Sequence, residues 1–183
     1  MKWNMLVDSE VVSLTVPEQF SVFSGAYLDS AIRLCAVLAR STKKATYARG
    51  TVVLYLAFHA TELFLKGAIL KKVPKEYVET SHNIGSLNNR YKKLYPGKKY
   101  QFHIPFASEE PDFSDIEPDK VKELKIIIGE IEKDNPHDQK YRYPQNKKGI
   151  PWHGVHGFEP SSFLRELKQL REQLEDISEL IFC

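Results

Sequence analysis

Cysteine is nearly missing from this chain: Cys35 and Cys183 stand alone, far apart, and no CxxC pair exists. That argues against a disulfide framework or a zinc ribbon and fits a reduced, cytosolic setting. Long apolar runs are missing too. The longest uninterrupted one, Val52 to Phe58, falls far short of the roughly 18 residues a membrane span needs. The opening segment MKWNMLVDSEVV has no extended apolar core and no small-residue cleavage site, so it does not read as a signal peptide. Neither sign of charge prevails. A net charge of +2 leaves any nucleic-acid partner to be argued from local patches. The chain also lacks an internal repeat, a phosphate loop, a dinucleotide glycine pattern and a nucleophile elbow.

What is present is the composition of an ordinary soluble globular protein, 42% apolar and 27% charged over 183 residues. That length predicts one domain, residues 1–183, with a sizeable core and no staples. Residues 1–16 alternate weakly and predict an extended arm or a short strand. Phe20, Phe23, Tyr27, Ala31, Leu34 and Leu38 then recur at helical spacing from about Glu18 to Arg40, and Ser24-Gly25 delays the firm helix to near Tyr27. A second helix starts between Thr46 and Thr51 and runs to Lys72, closed by Pro74. Ser81 or Asn83 caps a short third helix that stops at Pro96-Gly97. A fourth starts at Pro118 and ends at Asn135-Pro136. The last runs from Pro160 to about Ile181, with Phe163, Leu167, Leu170, Leu174, Ile177 and Ile181 on one face. Two long loops, 97–117 and 136–158, flank the fourth helix. The pattern predicts an all-α bundle of four or five helices.

The second helix is apolar almost all round, yet Tyr55, His59, Glu62 and Lys66 form one polar line. At about 100° per residue the four fall within roughly 60° of one another. Charged groups seldom sit in a buried helix without partners. Two readings follow. In the structural one, Glu62 and Lys66 form an i,i+4 ion pair with His59 and Tyr55 hydrogen-bonded nearby. In the functional one, these groups line a cleft, Lys66 meets a phosphate, and His59 moves protons.

Three separated segments, HATELFLKGAIL (59–70), SHNIGSL (81–87) and KYRYP (140–144), are together similar to the HEPN family of helical nucleotide- and RNA-binding domains. The first resembles the family's central helix, the second the His-led start of its next helix, and the third an Arg-Tyr-Pro stretch before its last helix. The resemblance spans roughly residues 25–181. It implies a helical bundle, commonly a two-fold dimer, that acts on RNA or nucleotides, often in toxin–antitoxin or anti-phage systems. Catalytic members carry an Arg followed by a His after four to six residues and cleave RNA without metal. Here Arg49 and His59, Arg90 and His103, and Arg142 and His153 are all spaced more widely. The departure shifts the expectation from cleavage to binding.

Further candidates lie elsewhere. His82 stands at a helix start, either as a cap or as a ligand or proton-transfer group facing Arg142; Asn83 shares that position, where free backbone N–H groups suit an anion. Lys140, Arg142, Lys147 and Lys148 interleave with Tyr141, Tyr143 and Trp152, a mixture in which cations grip phosphates and rings stack on bases. A second basic cluster, Arg90, Lys92, Lys93, Lys98 and Lys99, ends the third helix, and the acidic run over 109–119 could mask a basic groove. His153 and His156, between glycines and with no nearby cysteine, make a poor metal pair, and His137 and Asp138 follow no ligand spacing. Cys35 falls within a helical repeat, where a small buried residue is expected. The expected protein is a cytosolic homodimer that binds RNA or a nucleotide through Tyr55, His59, Glu62, Lys66, His82, Asn83, Lys140, Tyr141, Arg142 and Tyr143, with no cofactor, metal or membrane. The alternatives are a metal-independent ribonuclease drawing its pair from His82, Arg142 or His59, and a protein-interaction module.

Overall fold

The computed structural model describes residues 8–74, 82–106, 117, 120–124, 126, 141–143, 145, 148–149 and 158–183. It is all-α, about five helices packed together. Helix α1 (Val16–Ala39) takes Pro17 in its first turn, and the Thr15 N–H donates to the Glu18 carboxylate at 2.7 Å. Helix α2 (Tyr47–Lys72) is capped by Thr46, whose hydroxyl accepts the Arg49 N–H. Helix α3 (Ile84–Leu94) is capped by Asn83, whose side-chain oxygen accepts the Ser86 N–H at 2.9 Å. Residues 120–124 are helical and belong to the fourth helix, α4. Helix α5 (Pro160–Phe182) starts at Glu159, whose carboxylate accepts the N–H groups of Ser161 and Ser162 at 3.0 and 2.6 Å.

Helix α2 is the centre. It packs against α1 on one side and carries α3 on another, while α5 closes over α1. Its near-uniform apolarity follows from that position, since a helix with neighbours on several sides has little surface to give to water. Leu167, Leu170, Leu174, Ile177 and Ile181 of α5 meet Leu28, Ala31, Cys35 and Leu38 of α1 in the same core. Phe64 of α2 is the aromatic hub, with its ring against Tyr91, Phe102 and Phe182. Tyr95 ends α3 by donating its hydroxyl to the Ala68 carbonyl at 2.9 Å, so the C-terminal ends of α2 and α3 lie together.

Two boundaries differ from expectation. The arm predicted as extended over 1–16 is, in its described part, a set of hydrogen-bonded turns: Val11 and Val12 N–H donate to the Asp8 carbonyl and Leu14 N–H to that of Val11. Helix α1 begins at Val16, not near Tyr27. Ser24 does not interrupt it, because its hydroxyl donates outward to the Ala60 carbonyl of α2 at 2.7 Å and becomes part of the interface. Both α1 and α2 have a mean hydropathy of 1.4 over 18 residues and are long enough to cross a membrane, although neither contains a long uninterrupted apolar run. In α2, 72% of that window is buried inside the bundle, against 28% in α1.

Candidate functional site

Glu62 is the centre of the polar line. Residues 59, 62 and 66 share one face of α2, and the cap of α3 brings His82 onto that face. The Glu62 and Lys66 side chains are 5% and 6% exposed, and the Lys66 ammonium donates to Glu62 Oε1 at 2.7 Å. His82 Nδ1 lies 3.0 Å from the same oxygen. His59 Nδ1 stands 3.7 Å from Oε2, an ion-pair separation rather than a hydrogen bond. Burial pushes the Glu62 carboxyl up, but His59, the hydrogen-bonded Lys66 and the charge of His82 together hold it down at about 2. Glu62 is therefore ionised and can only accept. His82 must donate through Nδ1, which leaves its Nε2 as the acceptor of the neutral ring. The His82 side chain is 52% exposed. The arrangement is a buried carboxylate orienting a surface imidazole, a device that can move a proton at a fixed place.

A second run of contacts starts from His59. Its ring stacks on Tyr55, with centroids 5.8 Å apart, and meets the edge of Tyr27 at 4.6 Å. The Arg142 guanidinium lies 5.7 Å from the Tyr55 centroid and 5.5 Å from that of Tyr143. His82, Glu62, His59, Tyr55, Arg142 and Tyr143 are thus joined contact by contact. The bonded partner of His82 is Glu62, and the rings beside Arg142 are Tyr55 and Tyr143. Among the described residues no hydrogen bond or ion pair links His82 to Arg142 directly. Asn83 serves as the α3 cap. Tyr141 is half-buried against Phe58 at 6.3 Å, and burial, then Tyr47, pushes its phenol up; it anchors the segment and leaves Tyr143 at the surface.

Lys140, Lys147, Trp152, His137, Asp138, His153 and His156 lie outside the described residues, as do Ser81 and the acidic residues 109–116. Among the described residues no group of three His, Cys, Asp or Glu is placed to hold a metal ion. Cys35 is buried, donates to the Pro160 carbonyl at 3.3 Å, and has its thiol pushed up to about 11 by burial and by Glu159, which removes it as a nucleophile. A cavity of about 370 Å³ opens between α1 and α5 beside Ser21, Ser24 and Ser178. Its cation, Arg171, is already held by Asp29 at 2.9 Å and Glu175 at 3.1 Å.

Two contributors escaped sequence reasoning. Tyr27 has the periodicity of a core residue and nothing in the sequence marks it as a partner of His59. The bond from His82 to Glu62 joins positions twenty residues apart, and no local spacing reveals it. Compared with known protein families, with curated proteins and with solved structures, the chain matches none.

Proposed function

We propose that this protein binds a phosphate-bearing ligand, RNA or a nucleotide, on the face where His82, His59, Tyr55, Arg142 and Tyr143 run in continuous contact. The observation that carries the reading is Arg142, an exposed guanidinium steadied over Tyr55 and Tyr143. A guanidinium offers paired donors to phosphate oxygens. An exposed tyrosine beside it gives a base a ring to stack on. The HEPN resemblance supports the same ligand class and brings with it a cytosolic homodimer of a toxin–antitoxin or phage-defence system. In this reading Lys66 supports the site from below, because its ammonium is buried on Glu62.

A second reading, metal-independent RNA cleavage, is favoured by one observation: the carboxylate-oriented His82. Arg142 would neutralise the phosphate and His82 Nε2 would move the proton. Binding of a trinucleotide RNA and of a nucleotide, followed by calorimetry, tests the first reading. Arg142→Ala and His82→Ala proteins that keep their helical circular dichroism are expected to bind at least about tenfold more weakly, about 1.4 kcal/mol. Unchanged affinity in both variants would overturn it. Cleavage of RNA by the wild-type protein in EDTA, lost in His82→Ala, would establish the second.

A further inference from the structure

We infer that the ligand is a single RNA strand long enough to leave this face and run to a second, purely electrostatic subsite at the far end of α3. The inference rests on the binding reading above and narrows it from nucleotide to polynucleotide. Five lysines converge there. Lys72 ends α2, Lys92 and Lys93 end α3, and Lys98 and Lys99 open a 3₁₀ turn spanning Lys98–Tyr100. All five are exposed. The Lys72 ammonium lies 5.7 Å from the Tyr95 ring centroid and that of Lys99 5.0 Å from Tyr100, and the two rings are themselves 5.1 Å apart. Among the described residues, none of the five makes an ion pair. Lys71 differs in this respect, since Glu18 holds it at 3.2 Å.

Lysines in the last turn of a helix commonly do no more than complement its dipole. Here two helix ends and a turn place five on one corner, although the net charge of the whole chain is only +2. Such a concentration of like charge attracts a polyanion. The tyrosines beneath are occupied: Tyr95 is buried, Tyr91 donates to the Tyr100 carbonyl at 2.7 Å, and lysines cover the rings. The corner therefore offers a grip on phosphates and no platform for bases. Among its described residues the corner carries no large exposed apolar side chain, which a membrane-surface anchor would need. From Glu62 to Lys72 the axis of α2 advances about 15 Å at 1.5 Å per residue. A nucleoside monophosphate does not bridge that gap, whereas several phosphates of one strand do.

The test compares a trinucleotide with a fifteen-nucleotide single-stranded RNA on the wild-type protein and on a quadruple variant, Lys92→Gln, Lys93→Gln, Lys98→Gln and Lys99→Gln. The wild type is expected to bind the longer RNA at least about tenfold more tightly. The quadruple variant is expected to lose that advantage while holding the trinucleotide as before. Its log K against log salt slope for the longer RNA should be shallower by about 2–3, at roughly 0.7 per phosphate contact. The corresponding quadruple Lys→Arg protein should retain the advantage, which separates charge from folding. Equal affinity for both lengths in the wild type, or an unchanged length advantage in the quadruple Gln variant, overturns the inference. So does lysine-dependent binding to phosphatidylserine vesicles without RNA binding. Trinucleotide binding that is indifferent to both Arg142→Ala and His82→Ala overturns the first-site reading instead.

Discussion

Glu62 carries two demands at once, a cation beneath it and an imidazole above it. Its carboxyl is held at about 2, below the ordinary 4.5. An unfolded chain would therefore take up the proton first on acidification. The stability contributed by the ionised Glu62 is full above about pH 4.5 and is lost as pH falls toward 2. By the size of the displacement this amounts to about 3 kcal/mol. Glu18 and Glu159 are also held low, by backbone N–H groups at helix starts, and add acid sensitivity of the same sign. A Glu62→Gln protein separates the contributions. Urea unfolding between pH 6 and pH 3 is expected to show a steeper loss in the wild type than in Glu62→Gln; parallel curves would refute the assignment.

At the scale of elements, the crossing of α1 and α2 is set by a missing side chain. A Cβ on Gly67 would stand 2.8 Å from Phe20 Cβ and 2.9 Å from the Pro17 carbonyl oxygen. Neither is the loose end of a flexible chain, so the helices would have to separate. Alanine gains about 1 kcal/mol of helix propensity over glycine, and overpacking of this kind costs about 1–3 kcal/mol. Gly67→Ala is therefore expected to lose roughly 1 kcal/mol net in urea unfolding. At Gly25 the nearest atom is the end of Arg171, 3.9 Å away. Gly25→Ala should keep its propensity gain, and equal behaviour of the two variants would dismiss the close crossing. These glycines also show where sequence reading stops. Ser24-Gly25 reads as a weak point in α1, yet Ser24 spends its hydroxyl on Ala60 and the helix passes through. Local propensity sees the residue and not the neighbouring helix that uses it. The helix starts and apolar seams were largely legible because they are local or periodic: Thr46 lies at the edge of the range expected for the start of α2, Asn83 is one of the two caps expected for α3, and Pro160 and the Leu167–Ile181 face stand where spacing places them.

For the molecule as a whole, the all-α bundle could be read from periodicity and the polar line from its angular spacing. Which oxygen serves which partner could not, because that depends on how the cap of α3 docks on α2. The docking gives Lys66 and His82 the same atom, Glu62 Oε1, at 2.7 and 3.0 Å. Groups that share a partner do not contribute independently. In a double-mutant cycle on ligand affinity, Lys66→Met and His82→Ala are expected to deviate from additivity by about 0.5 kcal/mol or more, and strict additivity would show that the shared oxygen has no functional consequence. A buried ammonium that never meets the ligand would then score in a mutational screen as though it did. Under the binding reading, genetic epistasis would trace the wiring beneath the proposed site, and a phenotype at Lys66 would measure the aim of an imidazole on the surface.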